Sequence, residues 1–519
     1  MHKLSLVLLV LAATAILFLY GPLAANHPFY YDEADYMWAG KQGVVANSID
    51  RNGIPFTEFV RKGLELSRAG SGQRQSFSQY IRGTGDIGMY RHYHGPVYAY
   101  WLAILHNLGV EQEQLFRGSG LILHLLTAAL MYFAMLRLFP DMPLIGPLVA
   151  TLLFLAHRTA LTAATIVTQH VIFTLLTVAI LAAFSQYFRS LAPRWAYFGM
   201  ALTGVALATV ETAVVLGGAF GLAWLIDWRR QFAQFISWGQ RAAFLGRCLL
   251  SVVVGIFVVW PVGILQLNIL KGYLTLVYIA VYRKTFSPIG PLELLSMKFM
   301  VAPFELGLLL VGTLLAFYLL RKQAAALPWL TFTGLFFLVL LKVTAPYTYY
   351  YAPLTTSMCV LTGLAAAEIW WQQKLYARVL VCVAVAVSVI GGTVQSTRDL
   401  AIHTNAHPPH FAVLDFVRSH PLGGQTLYLP YQFVPTLHYY LPDLKVAGYD
   451  MDWDLKRLTS EVTAPGAYER VLCEDKICAA LADSLPDRVT DRQFLHPLGV
   501  NGGIFYSVRI LPASGEQPK

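Results

Sequence analysis

The segment HPFYYDEADYMWAG, residues 27–40, contains the residue types that acid–base chemistry requires. Asp32, Glu33 and Asp35 place three carboxylates within four residues, directly after the first apolar run of the chain. Carboxylates that face each other and apolar surroundings acquire a raised pKa or require cationic or hydroxyl partners. One of them could act as a general base on a hydroxyl group. A solvated or helix-capping acidic turn agrees equally well with the composition, so both interpretations stay open.

Cationic side chains in two further segments could bind phosphate, for which the paired donors of arginine are well suited. A histidine at a membrane interface is more often structural, and a basic loop is more often simply solvated. Both interpretations therefore stay open for these residues as well. The candidates for binding phosphate or substrate are Arg91, His92 and His94 in RHYHGPVYAYWLAILHNLGV, and Arg283 and Lys284 in the loop 264–298.

No set of ligands shows the spacing of a metal site, so we expect neither a metal ion nor another cofactor. Cys473 and Cys478, in the sequence CEDKIC, lack a second Cys or His pair at ligand distance. They are expected in a part of the chain that faces outward, where a disulfide is permitted. A disulfide and two unpaired thiols remain equally acceptable from the sequence.

The amino-acid composition indicates the class of protein in which these residues lie. The chain has 519 residues, of which 56% are hydrophobic and 13% charged, and its mean hydropathy is +0.53. A soluble domain carries roughly 25% charged residues. The deficit excludes a soluble enzyme, a disordered protein and a nucleic-acid binder of the usual kind. The net charge of +9 lies largely in short loops between apolar runs, where it sets membrane orientation.

About eleven apolar runs reach or approach the roughly 20 residues that a membrane-spanning helix needs. The first run exceeds the roughly 7–15 apolar residues of a cleaved signal peptide, which favours a retained anchor. With the N-terminus in the cytoplasm, most basic residues of the short connections lie inside, as the positive-inside rule requires. The sequence therefore predicts a multi-pass protein of the cell (inner or plasma) membrane. The runs are 4–24, 115–138, 143–157, 160–187, 196–210, 212–226, 244–262, 299–319, 327–343, 350–369 and 379–395.

The composition changes sharply near residue 398. Beyond it, FAVLDFVRSH has a helical pattern, whereas QTLYLP, LKVAGY and GGIFYSVRI are extended. We therefore expect a polytopic α-helical membrane protein with a C-terminal α/β extracytoplasmic domain. The expected parts are a transmembrane domain over 1–397, with outward loops 25–114 and 264–298, and an outward domain over 398–519.

Two of these segments together resemble the GT-C membrane glycosyltransferases. The first has an Asp-Glu pair after the first span, and the second is an H-G-P-V-Y-x-Y-W stretch that leads through L-G-V to Arg117. The resemblance is strongest to the glycosyltransferase family 39-like group, which includes bacterial proteins similar to dolichyl-phosphate-mannose–protein mannosyltransferases and the lipid A aminoarabinose transferase. It covers about residues 1–400. Weaker similarities lie in GVALATVETAVVL (204–216) and YTYYYAPLTTSMCVLTGLAA (347–366).

The resemblance implies an inverting glycosyltransferase that moves a sugar from a polyprenyl-phosphate carrier to an envelope acceptor, whether lipid, protein or polysaccharide, at the outer face. Asp32 matches the proposed catalytic acid of the family and Glu33 its neighbour. His94 falls near the donor phosphate, and Arg283 and Lys284 lie in an outward loop that helps to bind it. The implied partners are the lipid bilayer, the polyprenyl-phosphate sugar and the envelope acceptor, with no nucleic acid.

Two other function classes compete with this one. A transporter or flippase would place polar residues near the membrane midplane, often with internal symmetry, whereas this sequence shows no repeat. A non-catalytic envelope glycan assembly protein would share the fold without the chemistry. The chain also departs from the family in two respects. Residues 157–170 contain Gln169 and His170 but no second acid, and Val210 stands where relatives often carry Lys beside the acid, here Glu211.

We predict that loop 264–298 and the C-terminus lie on the same, non-cytoplasmic side of the membrane. Reporter fusions at the two positions should give matching signals. A cytoplasmic C-terminus would mean that the short apolar runs are miscounted, and it would separate the tail from the outer face.

Overall fold

The computed structural model describes most of the chain, and its helices group into two compact units. The membrane unit comprises Met1–Asn26, Gly43–Arg51 and His92–Thr404, and the tail unit comprises His27–Gln42, Asn52–Arg91 and Asn405–Lys519. The described residues are 2–30, 32–49, 55–68, 95–235, 237–278, 290, 293, 296, 302–321, 323–343, 348–372, 375–405, 408–420, 427–449, 459, 470–496 and 504–510.

Helices dominate the described residues, and a small group of strands lies near the C-terminus. The helices are α1 His2–Tyr20, α2 Asp32–Lys41, α3 Gly43–Ile49, α4 Phe56–Arg68, α5 Val97–Asn107, α6 Glu113–Leu138, α7 Ile145–Ala156, α8 Arg158–Thr165, α9 His170–Ser190, α10 Pro193–Leu207, α11 Val214–Ile226, α12 Trp228–Ala233, α13 Trp238–Val259, α14 Pro261–Leu265, α15 Asn268–Tyr278, α16 Pro303–Leu320, α17 Leu327–Val343, α18 Ala352–Gln372, α19 Leu375–Thr404, α20 Pro409–Ser419, α21 Val434–Tyr440 and α22 Asp475–Ser484. The strands are β1 Leu427–Pro430, β2 Val446–Tyr449, β3 Arg470–Glu474, β4 Val489–His496 and β5 Phe505–Ile510.

The apolar runs of the sequence form helices, which confirms the predicted polytopic helical architecture. Seven helices among the described residues are long and apolar enough to cross a membrane, and the bent pair α7–α8 makes an eighth if it counts as one span. The apolar helices Ser5–Tyr20 and Glu211–Ile226 are shorter. Lipid offers no hydrogen-bond partners, so apolar helices that satisfy their own backbone are the expected solution.

One predicted span is wrong. The run 160–187 was expected to form a single helix, but α8 ends at Thr165 and α9 begins at His170. Ile166, which follows α8, is extended, with φ −120° and ψ 158°. No proline or glycine marks this break, so neither of the usual local signals was there to predict it.

A group of polar side chains holds the start of α8 inside the membrane unit. His157 caps the helix, because its Nδ1 accepts the backbone N–H of Thr159 at 3.1 Å. The backbone N–H of Arg158 donates to Glu305 Oε1 at 2.9 Å, and the Arg158 guanidinium pairs with Asp399 on α19. The side chain of Glu305 is buried at the first turn of α16. A backbone donor that a helix leaves unsatisfied at its start is therefore bound by a carboxylate from another helix.

The tail unit is built on a five-stranded mixed sheet in the order β2-β1-β3-β5-β4. Strand β1 is parallel to β2 and β3, whereas β5 is antiparallel to β3 and β4. Neighbouring residues of β1 face opposite sides, since Leu427 and Leu429 pack in one apolar cluster and Tyr428 in another. The helical and extended segments that the sequence indicated correspond to α20, β1, β2 and β5.

Cys473 and Cys478 form a disulfide in the tail unit. The bond links the fourth residue of β3 to the first turns of α22, and both cysteines are buried in the apolar cluster that contains Tyr428. The structure therefore decides between the two states that the sequence left open.

We expect the Arg158–Asp399 pair to stabilise the membrane unit. The Asp399→Asn substitution leaves the mostly buried Arg158 without its countercharge, which should cost about 2–4 kcal/mol. Thermal unfolding of the purified protein in detergent measures the loss. The control is Asp483→Asn, which removes an exposed carboxylate from α22 and should leave the unfolding temperature unchanged. Equal stability of the two variants would contradict the role of the pair.

Candidate functional site

Helix α2 carries the three candidate carboxylates in its first turn. Asp32 is exposed, Glu33 is buried and Asp35 is partly buried, so one helix start gives the three acids different environments. Carboxylates at this position interact favourably with the positive end of the helix dipole. On the buried side, Ala34 and Met37 are fully enclosed. Asp32 is therefore the acid of the three that a molecule arriving from solution can reach.

Aromatic contacts hold the segment before α2 within the tail unit. The backbone N–H of Phe29 donates to Tyr440 Oη at 2.8 Å, and its ring meets the Tyr439 ring edge-on at 5.5 Å. The ring of His27 lies 5.0 Å from that of Phe411 on α20. These partners lie about 400 residues further along the chain, and no motif in the sequence indicates the contact.

Two further contacts attach the body of α2 to α21. The ring of Trp38 meets His438 edge-on at a centroid distance of 6.0 Å. The Lys41 ammonium lies 5.4 Å from the centre of the Tyr439 ring, a cation–π geometry. The tail unit therefore fixes both the start and the end of the helix that carries the acids.

Asp35 has a different electrostatic environment from Asp32. Burial raises the pKa of Asp35 well above its ordinary value, and the charge of Asp32 raises it further. The Oδ1 atom of Asp35 is buried and has no hydrogen-bond partner among the described residues. The sequence left open whether a carboxyl of this group has a raised pKa or a cationic or hydroxyl partner, and Asp35 shows the raised pKa.

In the membrane unit, the HGPVY segment is tightly packed against the segment that follows α10. The backbone N–H of Val97 donates to the carbonyl of Ala208 at 3.3 Å. A Cβ atom on Gly95 would lie 1.9 Å from the same carbonyl oxygen, so only glycine fits there. The Tyr100 hydroxyl donates to the carbonyl of Val259 at 2.5 Å. Two segments that carry the family resemblance, 92–120 and 204–216, are therefore in direct contact.

Buried polar side chains lie at the same end of the membrane unit. Glu211 and Lys271 are 7% and 3% exposed, and the Tyr273 hydroxyl donates to the backbone carbonyl of Glu211 at 2.9 Å. The pKa of Tyr273 is raised by burial and by the charge of Glu211. Asn268 is 1% exposed, and neither atom of its amide has a hydrogen-bond partner among the described residues. Sequence reasoning did not single out Asn268, and no motif marks it.

Arg117 anchors the residues that precede the acid segment. Its side chain is fully buried, and Nη1 donates to the carbonyl of Ala25 at 2.7 Å. Trp101 Nε1 donates to Ser119 Oγ at 3.0 Å, which joins α5 to the start of α6. A buried arginine in an apolar bundle requires such an acceptor. The role of Arg117 is therefore structural in the membrane unit.

The predicted site residues divide into two groups. Asp32 and Glu33 are neighbours in the first turn of α2. The part of the chain that the structure describes contains no group of three or more His, Cys, Asp or Glu side chains placed to bind a metal ion. The candidates for phosphate binding, Arg91, His92, His94, Arg283 and Lys284, all lie outside the described residues.

Residues Gln169 and His170 occupy the segment where the resembling family often has a second acid. Both are buried, and the ring of His170 lies 4.5 Å from that of Tyr350 and 5.2 Å from that of Tyr349. The segment in which the family often has a second acid therefore contains an imidazole group packed against aromatic rings.

We predict that Asp35→Asn stabilises the protein at neutral and higher pH. The folded state raises the pKa of Asp35, so ionisation of this carboxyl costs folding free energy as the pH rises above the unfolded-state value near 4. The asparagine variant lacks this cost, and its advantage should shrink as the pH falls toward 4. Thermal unfolding between pH 4 and 8 measures the difference. The control Asp443→Asn removes an exposed acid and should show no such trend; a pH-independent difference for Asp35→Asn would contradict the assignment.

No protein-family model matches the sequence, and no curated protein matches it significantly. Solved structures do match its fold. ArnT from Cupriavidus metallidurans bound to undecaprenyl phosphate has a TM-score of 0.61 at 15% identity, covering 98% of this chain and 99% of that one. The Archaeoglobus fulgidus oligosaccharyltransferase has a TM-score of 0.57 at 11% identity, with 97% and 74% covered. The arabinofuranosyltransferase AftD from Mycobacteria has a TM-score of 0.51 at 13% identity, with 98% and 42% covered. The chain therefore has the GT-C fold of these membrane proteins, as the two sequence segments had indicated.

Proposed function

We propose that this protein is an inverting glycosyltransferase that moves a sugar from a polyprenyl-phosphate carrier to an envelope acceptor at the outer face of the cell membrane. The acceptor is a lipid, a protein or a polysaccharide. The observation that carries the proposal is the match over nearly the whole chain to the fold of ArnT, whose structure contains undecaprenyl phosphate. The proposed orientation has the N-terminus in the cytoplasm and the tail unit outside.

Asp32 is the proposed general base. It is exposed at the start of a helix whose other side is packed within the tail unit, so its carboxylate has a defined position and remains accessible. Exposed carboxylates are ionised near neutral pH, and only the ionised form can accept a proton. Asp32 takes the proton of the acceptor hydroxyl while the oxygen attacks the anomeric carbon of the sugar.

Asp35 is less suited to this role than Asp32, because it is partly buried and its Oδ1 atom is enclosed, which limits access by an acceptor. Glu33 is buried beside Asp32 and is proposed to orient it. The charge of Asp32 acts on Asp35, so the two carboxyls are electrostatically coupled.

The leaving group is the carrier phosphate, which gains negative charge in the transition state and requires cationic or hydrogen-bonding partners. The proposed partners are the segment of Arg91, His92 and His94 and the loop of Arg283 and Lys284. Lys271 supports this assignment, because it is buried on α15, within the same loop 264–298. The packing of Gly95 against Ala208 also fixes the residue next to His94. No metal or cofactor is part of the proposed reaction.

The transporter or flippase alternative receives less support. Its hallmark is a polar site built from broken helices near the midplane. The break between α7 and α8 is such a feature, but Glu305 and Asp399 bind the backbone and side chain of Arg158 there, which gives these groups a structural role. A non-catalytic assembly protein would not need the Asp32 carboxylate. A variant without that carboxylate therefore distinguishes such a protein from an enzyme.

The Asp32→Asn substitution should lower turnover by roughly 10²–10⁴-fold, the usual contribution of a general base. Binding of the polyprenyl-phosphate donor should survive, because other residues are proposed to hold the phosphate. The assay measures transfer of radiolabelled sugar from membranes that contain lipid-linked donors to endogenous envelope acceptors.

The matched control is Asp443→Asn, which removes an exposed acid of the tail unit and should retain turnover. Glu33→Gln should have a milder effect than Asp32→Asn. Near-normal turnover by a folded, membrane-inserted Asp32→Asn protein would refute the assignment of the base. Loss of donor binding in that variant would instead mean that the acid organises the donor pocket.

A further inference from the structure

Helix α15 exposes apolar side chains and buries polar ones. Leu270 and Leu274 are each 45% exposed, whereas Asn268 and Lys271 are 1% and 3% exposed. An exposed apolar face suits a helix at a membrane surface, where that face meets lipid. The polar side chains then turn into the protein, where each requires a hydrogen-bond partner from the protein or from a ligand. The buried face of α15 therefore has the character of a wall of a polar binding site.

The amide of Asn268 is buried with its hydrogen-bonding capacity unused. Neither Oδ1 nor Nδ2 has a hydrogen-bond partner. Asn268 is the only amide in the described part of the chain for which both atoms are buried and without a partner. Leaving buried polar atoms unpaired costs folding free energy. A ligand that pairs with both atoms recovers that free energy when it binds.

A role in starting the helix does not account for this amide. Asparagine is favoured at helix starts because its side-chain oxygen can accept a backbone N–H. At the start of α15, however, the backbone carbonyl of Leu267 accepts the N–H of Lys271 at 3.2 Å, and Asn268 Oδ1 accepts none. Ser237 shows the capping arrangement, because its hydroxyl accepts the N–H of Gln240 at 3.3 Å. The Asn268 side chain is therefore available to a ligand.

Packing places Asn268 beside the segments that carry the proposed phosphate-binding residues. The next residue, Ile269, packs on the buried cluster that contains Ala208, and Val97 of the HGPVY segment packs on the same cluster. Residues three positions apart share one face of a helix, so Asn268 adjoins Lys271. The amide thus lies one helical turn from a buried cation.

The two atoms of the amide select the chemistry of the ligand. Nδ2 donates hydrogen bonds and Oδ1 accepts them, so a ligand that pairs with both offers an acceptor and a donor side by side. Two hydroxyl groups on neighbouring carbons of a sugar meet this condition. A phosphate offers only acceptors and an ammonium group only donors, so either would leave one amide atom unpaired.

We propose that Asn268 binds two adjacent hydroxyl groups on the sugar of the polyprenyl-phosphate donor. The inference rests on the transferase function proposed above and adds the class of sugar, one with free hydroxyls on neighbouring carbons. Nδ2 donates to the oxygen of one hydroxyl, and the other hydroxyl donates to Oδ1. A site that hydrogen-bonds a substrate hydroxyl discriminates strongly against analogues that lack it. Asn268 is therefore a specificity-determining residue for the donor sugar.

The first test is thermal unfolding of Asn268→Leu in detergent without donor. Leucine has the same side-chain branching as asparagine but no polar atoms. Because the amide has no partner in the empty protein, the variant should unfold at the wild-type temperature or above it. The matched control Gln231→Leu should unfold at a lower temperature. It removes a fully buried amide whose Oε1 accepts from Tyr187 Oη and whose Nε2 donates to Asp227, both at 2.7 Å.

A second variant, Asn268→Ala, cannot clash with its neighbours and separates steric effects from the loss of the amide. A loss of stability in both Asn268 variants as large as that of Gln231→Leu would overturn the proposal, because it would show a structural amide.

The second test measures transfer of radiolabelled sugar at limiting concentrations of the lipid-linked donor. Asn268→Leu should lower the rate about tenfold to hundredfold, the worth of two neutral hydrogen bonds. Gln231→Leu should retain the wild-type rate per folded molecule. Binding of undecaprenyl phosphate, which carries no sugar, should be the same in Asn268→Leu and in the wild-type protein when measured by native mass spectrometry.

The outcomes distinguish this inference from the proposed function. A wild-type rate in Asn268→Leu would overturn the sugar contact, and weaker binding of undecaprenyl phosphate would assign the amide to the phosphate instead. Donors treated with periodate, which cleaves between neighbouring hydroxyl-bearing carbons, should no longer be transferred; undiminished transfer would exclude the hydroxyl pair. Absence of transfer by the wild-type protein itself would refute the transferase function and, with it, this inference.

Discussion

Polar groups inside the membrane unit must be satisfied by the protein, because lipid provides no hydrogen-bond donors or acceptors. Glu305 shows how the fold meets this constraint. Its buried carboxylate accepts the N–H of Arg158, a backbone donor at the start of α8, and also lies 3.4 Å from His157 Nε2. The guanidinium of Arg158 reaches Asp399 on α19. Helices distant in sequence are thereby joined at a point where the chain bends by 53°.

The same constraint explains the anchors at the end of the membrane unit where Arg117 and Gly95 lie. Arg117 is fully buried and donates to the carbonyl of Ala25, which lies in the short segment that follows α1. Gly95 brings its backbone against that of Ala208. Each contact encloses a polar backbone group within the protein, away from lipid. Each also fixes a segment that leads into a candidate functional loop. Rigid anchors of this kind are what a site built on loops requires.

The acidic helix owes its position to a different type of interaction. Aromatic side chains of α20 and α21 surround the segment from His27 to Lys41, and the helix buries Glu33 while Asp32 remains exposed. Burial and the neighbouring charge favour the protonated form of Asp35. One short helix thus gives three carboxyl groups different surroundings. Proteins usually assign different roles to nearby carboxyls in this way.

Much of the architecture follows from local sequence. Hydrophobic length alone predicts the helices of the membrane unit, because burial in lipid requires a continuous apolar run. Short segments with extended patterns predict β1, β2 and β5 of the tail unit. The acid pair of α2 and the HGPVY stretch also indicate the GT-C fold.

The tertiary structure decided what depends on contacts between distant segments. The break after Thr165 carries no glycine or proline, and it occurs where side chains from α16 and α19 satisfy the start of α8. The packing of Phe29 on Tyr439 and Tyr440 joins residues about 410 positions apart. The sequence by itself determined which residues could do chemistry and which segments enter the membrane; only the folded chain determined which carboxyl stays exposed, because solvent access is a property of the assembled neighbours.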